Sequence, residues 1–150
     1  MNDMQLSAHF SLREMLFSEM ASRMGRDVVP TDEQVANATR LCQVLLEPIR
    51  KELGRPITII SGIRPDWLNA AVGGSPTSAH MYGRAADVLV AGMSPDTFAR
   101  WIRQRGYPVD QVISEFGRWT HIALPNTGKP RNRYLTATKV NGATRYEVLV

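Results

Sequence analysis

Ser78-Ala-His80-Met-Tyr82-Gly83-Arg-Ala85-Ala-Asp87-Val-Leu-Val90 sets a histidine and an aspartate seven residues apart around a glycine and runs out into an apolar tail. Fully extended, that separation would hold the two side chains roughly 23 Å apart. If they are to share an ion, the chain must turn back near Gly83, a turn that glycine permits. An i, i+7 pair could instead lie two turns apart on one face of a helix, as a solvated polar face. The glycine in the middle and the β-rich run at 85–90 argue against the helix, and the stretch reads as a turn followed by a strand.

Upstream of it, Ser11-Leu-Arg-Glu14 is a capping box followed by Leu12, Met15, Leu16, Met20 and Met24 at helical spacing, with Gly25 as the stop. That pattern predicts one first helix. Thr31-Asp-Glu-Gln34 opens a second, whose apolar face is Val35, Ala38, Leu41, Cys42, Leu45, Leu46 and Ile49 up to Gly54, with a kink at Pro48 near its end. Pro56-Ile-Thr-Ile-Ile60, bounded by Gly54 and Gly62, reads as a short buried strand. A short helical piece through Trp67, Leu68 and Val72 then ends in the loop Gly73-Gly-Ser-Pro76.

Downstream, Ser94-Pro95-Asp96 places an N-cap before a proline at the first helical position, and Phe98, Trp101 and Ile102 mark the buried face of a helix stopping at Gly106. Residues 111–116 and 119–124 alternate as two strands joined by Gly117-Arg118, and residues 134–140 and 144–150 bracket the hairpin signal Asn141-Gly142. Repeats, low-complexity tracts and linkers are absent from the 150 residues. The expectation is a single α+β domain over residues 1–150, its helices coming first and packing on a mostly antiparallel sheet.

Composition narrows the chemistry. A chain of this length buries about 68–70% of its unfolded surface and needs no disulfide, and with Cys42 as its one cysteine it can form none internally. Cysteine-rich zinc modules are excluded, which leaves histidine and carboxylate as metal ligands. Only His9, His80 and His121 are available as histidines. Two histidines and one carboxylate with an open fourth position make the ligand set of a catalytic zinc, whereas the same residues, taken by spacing alone, are more often a surface or hydrogen-bonded set. Cys42 sits on an apolar helix face and reads as core rather than nucleophile. His9, outside every motif, reads as a surface histidine near a frayed end.

The formal charge of +4 and the pI near 9.6 favour anionic partners. With no zinc finger and no RNA-binding aromatic signature, nucleic acid is not expected among them. No run of about 18 apolar residues occurs, so no membrane insertion is expected, and Met1-Asn-Asp-Met-Gln-Leu-Ser7 has no basic start with an apolar stretch behind it, so no secretory signal is expected.

Several ordered motifs carry a resemblance. Ser61-Gly-Ile-Arg64-Pro-Asp-Trp-Leu-Asn69, then Val72-Gly-Gly-Ser75, then Ser78-x-His80-x-x-Gly83-x-Ala85-x-Asp87, and finally Glu115 with Trp119-x-His121, resemble the zinc D-Ala-D-Ala carboxypeptidase family of murein peptidases. That family includes D-Ala-D-Ala dipeptidases and phage L-Ala-D-Glu endopeptidases, and the hedgehog signalling domain shares its fold. The opening Phe10-Ser-Leu-Arg-Glu14 and Leu46-Glu-Pro48-Ile-Arg50 resemble the phage-encoded, single-domain endolysin branch, so the likeness spans about residues 10–124.

The resemblance implies a hedgehog/DD-peptidase-like fold and one zinc ion (Zn2+) held by His80, Asp87 and His121. Glu115 is implied as general base and Arg64 as the group that binds a substrate carboxylate or steadies the oxyanion, a task its fixed fork suits. Ser78 is expected to support the loop of His80, and Trp119, which stands where many relatives carry a histidine, to wall the substrate cleft or to join the core. Tyr82 is placed with these two as a substrate-binding or supporting residue. The implied partner is peptidoglycan and the implied state a monomer, waiting in a host bacterial cytoplasm until released to the wall. The bond cut is of the D-Ala-D-Ala type, in stem or cross-link, or L-Ala-D-Glu; a non-catalytic zinc-binding wall or virion module is the reading outside enzymes.

Overall fold

In the computed structural model, which describes residues 3–126 and 129–150, the polypeptide runs β1 (Gln5–Ser7), β2 (Phe10–Ser11), α1 (Leu12–Leu16), α2 (Glu19–Arg23), α3 (Asp32–Leu41), a π-helical turn (Cys42–Leu46), α4 (Glu47–Leu53), β3 (Thr58–Ser61), α5 (Asp66–Ala71), a 3-10 turn (Ala79–Tyr82), β4 (Ala85–Leu89), α6 (Pro95–Arg105), β5 (Gln111–Glu115), β6 (Trp119–Ala123), β7 (Arg133–Val140) and β8 (Ala143–Val148). Met1 and Asn2, the first residues of the segment read as lacking a leader, lie outside the described residues.

Strands β3 to β8 form one sheet in the order β3-β4-β6-β5-β7-β8. Every pairing is antiparallel except β5 with β7, which run parallel. The sheet is therefore mostly antiparallel, as expected, but helices and strands are interleaved: β3 precedes α5, and α6 separates β4 from β5.

Because successive strand residues point to opposite faces, Ala86, Val88, Val112 and Ile122 share one face while Asp87, Ile113 and His121 share the other. The first set belongs to the main core, together with Leu41, Leu45 and Ile49 from the long helical segment and Phe98 and Ile102 from α6. Each such fully buried aliphatic or aromatic side chain contributes about 1.5–3 kcal/mol. The opposite face carries the small cluster Ile113, Leu135 and Ala137, with Phe116 packed on it. One face of the sheet thus holds the molecule together and the other is left for chemistry.

Four expectations need correction. The first helix is two: Ser18 adopts an extended conformation and caps α2 by accepting from the Ala21 N–H, so the helical run breaks after Leu16. Pro48 acts through a π turn, in which the Glu47 N–H bonds back five residues to the Cys42 carbonyl; the proline has no N–H of its own, and the wider turn absorbs the irregularity. The strand at 56–60 is an edge strand over Thr58–Ser61, with Thr58 exposed and Ile59 buried. The β5–β6 turn has three residues, because Glu115 pairs directly with Trp119 and Phe116 takes a positive φ of 58°.

The β1–β2 ribbon was not foreseen, and it ties down its own turn. The His9 backbone N–H donates to Glu47 Oε1 at 2.7 Å, and His9 Nδ1 lies 2.7 Å from Glu47 Oε2, so this exposed histidine is anchored rather than frayed. The Asn141-Gly142 turn forms where the dipeptide predicts, with φ values of 51° and 80°.

Candidate metal centre

Three backbone events bring His80 to Asp87. Ser78 accepts the His80 N–H at 3.3 Å and caps the 3-10 turn, Gly83 reverses the chain at φ +78°, and β4 then carries Asp87 back alongside β3, where it pairs with Ser61. The reversal tolerates only glycine, since a Cβ at residue 83 would stand 2.3 Å from the Gln34 carbonyl oxygen. On the other side of β4, Asp87 pairs directly with His121 of β6. Ligand atoms of His80, Asp87 and His121 come within 4.8 Å of one another, and the three residues are 1%, 6% and 8% exposed.

The donor set fits a divalent cation. His80 Nδ1 lies 2.7 Å from the Gly62 carbonyl, which can only accept, so Nδ1 carries the hydrogen. Burial lowers the pKa of His80 and favours the neutral ring, in spite of the Asp87 charge beside it. Nε2 then presents a bare lone pair 3.1 Å from Asp87 Oδ1. His121 Nδ1 stands 3.0 Å from that same oxygen. Two imidazoles converging on one buried carboxylate oxygen, one of them with an unprotonated nitrogen, make an arrangement that a cation between them relieves, and the N,N,O set is one zinc accepts. Burial by itself would raise the Asp87 pKa, but the His121 ring hydrogen-bonded to its Oδ1 holds the carboxyl below its ordinary value, as a ligand requires.

Glu115 reaches the same place diagonally. It lies on β5 two residues beyond Ile113, which is the direct partner of His121, and its Oε1 is 3.6 Å from His121 Nδ1. Burial lifts its pKa above the ordinary carboxylate range against the opposing pull of His121, which makes it a better base than a solvated glutamate. Behind the sheet, Ser114 donates to Asp96 and Thr120 donates to the Pro95 carbonyl, so the N-terminus of α6 braces the two strands that carry Glu115 and His121.

Arg64 is half-buried. Its backbone N–H donates to the His80 carbonyl at 3.0 Å, and its Nη2 donates to Ser78 Oγ at 3.3 Å. Its Nε is buried and has no hydrogen-bond partner among the described residues. The Trp119 indole Nε1 is likewise buried without a partner; it lies close enough to Glu115 to favour its carboxylate without reaching hydrogen-bond geometry.

Arg64, Ser78, Glu115 and Trp119 line one open cleft with the His-Asp-His set, about 1150 Å³ in volume. Six cationic side chains border it, from Arg64, Arg84, Arg118, Lys129, Arg131 and Lys139, against the carboxylates of Asp87, Asp110 and Glu115. The structure does not bring Tyr82 into this cleft. At the end of the 3-10 turn it points outward, 44% exposed, where the Arg84 guanidinium lies 4.8 Å from its ring centroid. The Gly62 carbonyl that orients His80, and Lys139 and Tyr146 of the C-terminal hairpin, belong to the site but were not legible in the motifs. A backbone carbonyl carries no sequence signal, and the hairpin reaches the cleft only through the β5–β7 pairing. Cys42 is fully buried in the core with its thiol pushed up to about 12 by burial, an inert position.

Comparison with known proteins places these features in context. A protein-family model described as Peptidase M15 matches residues 8–123, a span that contains His80, Asp87, Glu115 and His121 and stops before β7. A zinc D-Ala-D-Ala carboxypeptidase of Streptomyces albus G is 36% identical over 63 residues, 41% of this chain. The matched stretch spans about a quarter, 25%, of the length of that curated relative.

Proposed function

Because the chain belongs to the peptidase M15 family, we propose that it is a zinc-dependent peptidase that hydrolyses a peptide bond of peptidoglycan, of the D-Ala-D-Ala type in stem or cross-link. The observation that carries this reading is the buried His80, Asp87 and His121 set with Glu115 3.6 Å from His121, all on the open face of the sheet. The name of the Streptomyces relative supports the choice of bond. A monomeric endolysin role, with the protein held in a host cytoplasm until released to the wall, is supported by the resemblance of the motifs at 10–14 and 46–50 to the phage branch.

A zinc ion on His80, Asp87 and His121 would supply Lewis acidity, polarising the scissile carbonyl and acidifying water. The residues of the chain do the rest. Glu115 accepts the proton of the attacking water and returns it to the leaving amine, so one carboxylate serves as base and then as acid. Arg64 lines the cleft, where its fixed guanidinium binds a substrate carboxylate or stabilises the oxygen that gains negative charge. Gly62 holds His80 in the tautomer that keeps Nε2 available.

Digestion of purified peptidoglycan by the zinc-loaded protein, with and without chelator, followed by mass spectrometry of the released fragments, tests the reading. The expected result is chelator-sensitive release of products ending at D-Ala. New L-Ala carboxyl and D-Glu amine termini would reassign the enzyme to L-Ala-D-Glu cleavage. Glu115→Gln is expected to lose about 10²–10⁴-fold in rate while binding zinc as the parent does. A parent that binds zinc and cleaves no wall type would be a binding module.

A further inference from the structure

The match to the family model ends at residue 123, yet the cleft does not. The C-terminal hairpin of β7 and β8 supplies Thr138, Lys139, Thr144 and Tyr146 to the same cavity that holds the His-Asp-His set. Its place there follows from register. β7 adds to β5 in parallel with Glu115 beside Ala137, and β8 adds to β7 with Ala137 opposite Tyr146. Since Glu115 also pairs with Trp119, a single row on the open face reads Trp119, Glu115, Ala137, Tyr146. Ala137 offers only a methyl group, so no long side chain stands in this row between the Tyr146 ring and the Glu115 carboxylate.

We propose that the β7–β8 hairpin forms a substrate-binding subsite of this peptidase for an acidic peptide, with Tyr146 and Lys139 as its contacting side chains. The inference rests on the peptidase reading and extends it to residues outside the family match. Tyr146 is 56% exposed on a concave wall, an amphipathic ring of the kind that anchors ligands. Its phenol is protonated at neutral pH and can donate a hydrogen bond to a substrate oxygen. Lys139 Nζ donates to Thr144 Oγ1 at 2.9 Å, sits 5.4 Å from the Phe116 ring centroid, and has no carboxylate partner among the described residues. It lines the cleft beside Thr144 and Tyr146. Arg118, on the β5–β6 turn, adds a second cation to the same lining, which is the electrostatic match for a peptide that carries a free carboxylate.

The test uses the full zinc-loaded chain and a muropeptide with a free carboxylate. Tyr146→Ala is expected to raise KM about tenfold with kcat held within about twofold, and Tyr146→Phe to keep most of the binding. Lys139→Gln is expected to raise KM and to flatten its dependence on salt. Binding of the same peptide to Glu115→Gln, with and without Tyr146→Ala, is measured by calorimetry and should weaken by the same factor as KM rises. Both positions are exposed, and circular dichroism checks that the variants fold as the parent does. A parent that cleaves while both variants keep its KM and affinity overturns the subsite and leaves the peptidase reading standing. A parent that neither cleaves nor binds wall peptides overturns both. A concentration-dependent dimer that Tyr146→Ala abolishes would assign the hairpin to self-association instead, and would likewise overturn the subsite.

Discussion

At the scale of single residues, function depends on what each polar group finds to bond. The His80 ring has one nitrogen committed to the Gly62 carbonyl and the other turned to Asp87, so its role follows from a backbone acceptor that no motif names. Asp110 shows the same logic at the edge of the cleft, where Arg131 holds it with two 2.8 Å hydrogen bonds. Those bonds, first, and the guanidinium charge set the Asp110 pKa below its ordinary value. A depressed folded-state pKa contributes stability above the unfolded pKa of about 3.9 and loses it as pH falls through the lower folded value. Asp110→Asn should therefore destabilise the protein at pH 7 by about 0.5–1 kcal/mol, a modest figure because Arg131 is half exposed. In urea titrations the parent and the variant should converge as pH drops below about 4.

Secondary elements are where local sequence was most informative, and also where it misled. The capping boxes at Ser11 and Thr31, the N-cap at Ser94 and the glycine stops at Gly54 and Gly106 all stand where their residue types predict. Local rules failed where two of them competed. Apolar spacing ran across Ser18, but the serine used its side chain to start a new helix, and spacing could not show that. The turn between His80 and Asp87 carries a prediction of its own. At φ +78° an alanine in place of Gly83 is strained by about 1–2 kcal/mol, and its Cβ also collides with the Gln34 carbonyl. Gly83→Ala is expected to cost about 2–4 kcal/mol in chemical denaturation. Because the displaced turn carries His80, zinc affinity measured by competition with a chromogenic chelator should fall about tenfold.

For the molecule as a whole, one sheet divides the labour between its faces. The helices cover the face of Val88, Val112 and Ile122, while the face of Asp87, Glu115 and His121 opens on the cleft. Among the described residues no helix is long and apolar enough to cross a membrane. Only the fold brings His80, Asp87 and His121 together, so metal binding and folding should be coupled. With free zinc about a hundredfold above its dissociation constant, linkage predicts about 2.7 kcal/mol of stabilisation. For a chain of this size that is about 5–10 °C in Tm. Differential scanning fluorimetry should show the rise with zinc, its reversal by chelator, and its absence in His80→Ala.

The amino-acid sequence by itself determined the helix caps at Ser11, Thr31 and Ser94, the six strands of the main sheet, the Asn141-Gly142 turn, and the residues His80, Asp87, Glu115 and His121, whose motif spacing carried the resemblance. These are signals of local conformation or of residue type, and both can be read along a chain. Only the tertiary structure decided that β7 lies parallel to β5, that Tyr146 shares a row with Glu115, that Tyr82 faces away from the cleft, and that the Gly62 carbonyl selects the tautomer of His80. Each of those facts depends on pairing between segments distant in sequence, or on a backbone atom common to every residue. Such contacts are chosen by how the whole sheet buries its apolar face, and no stretch of the chain records that choice alone.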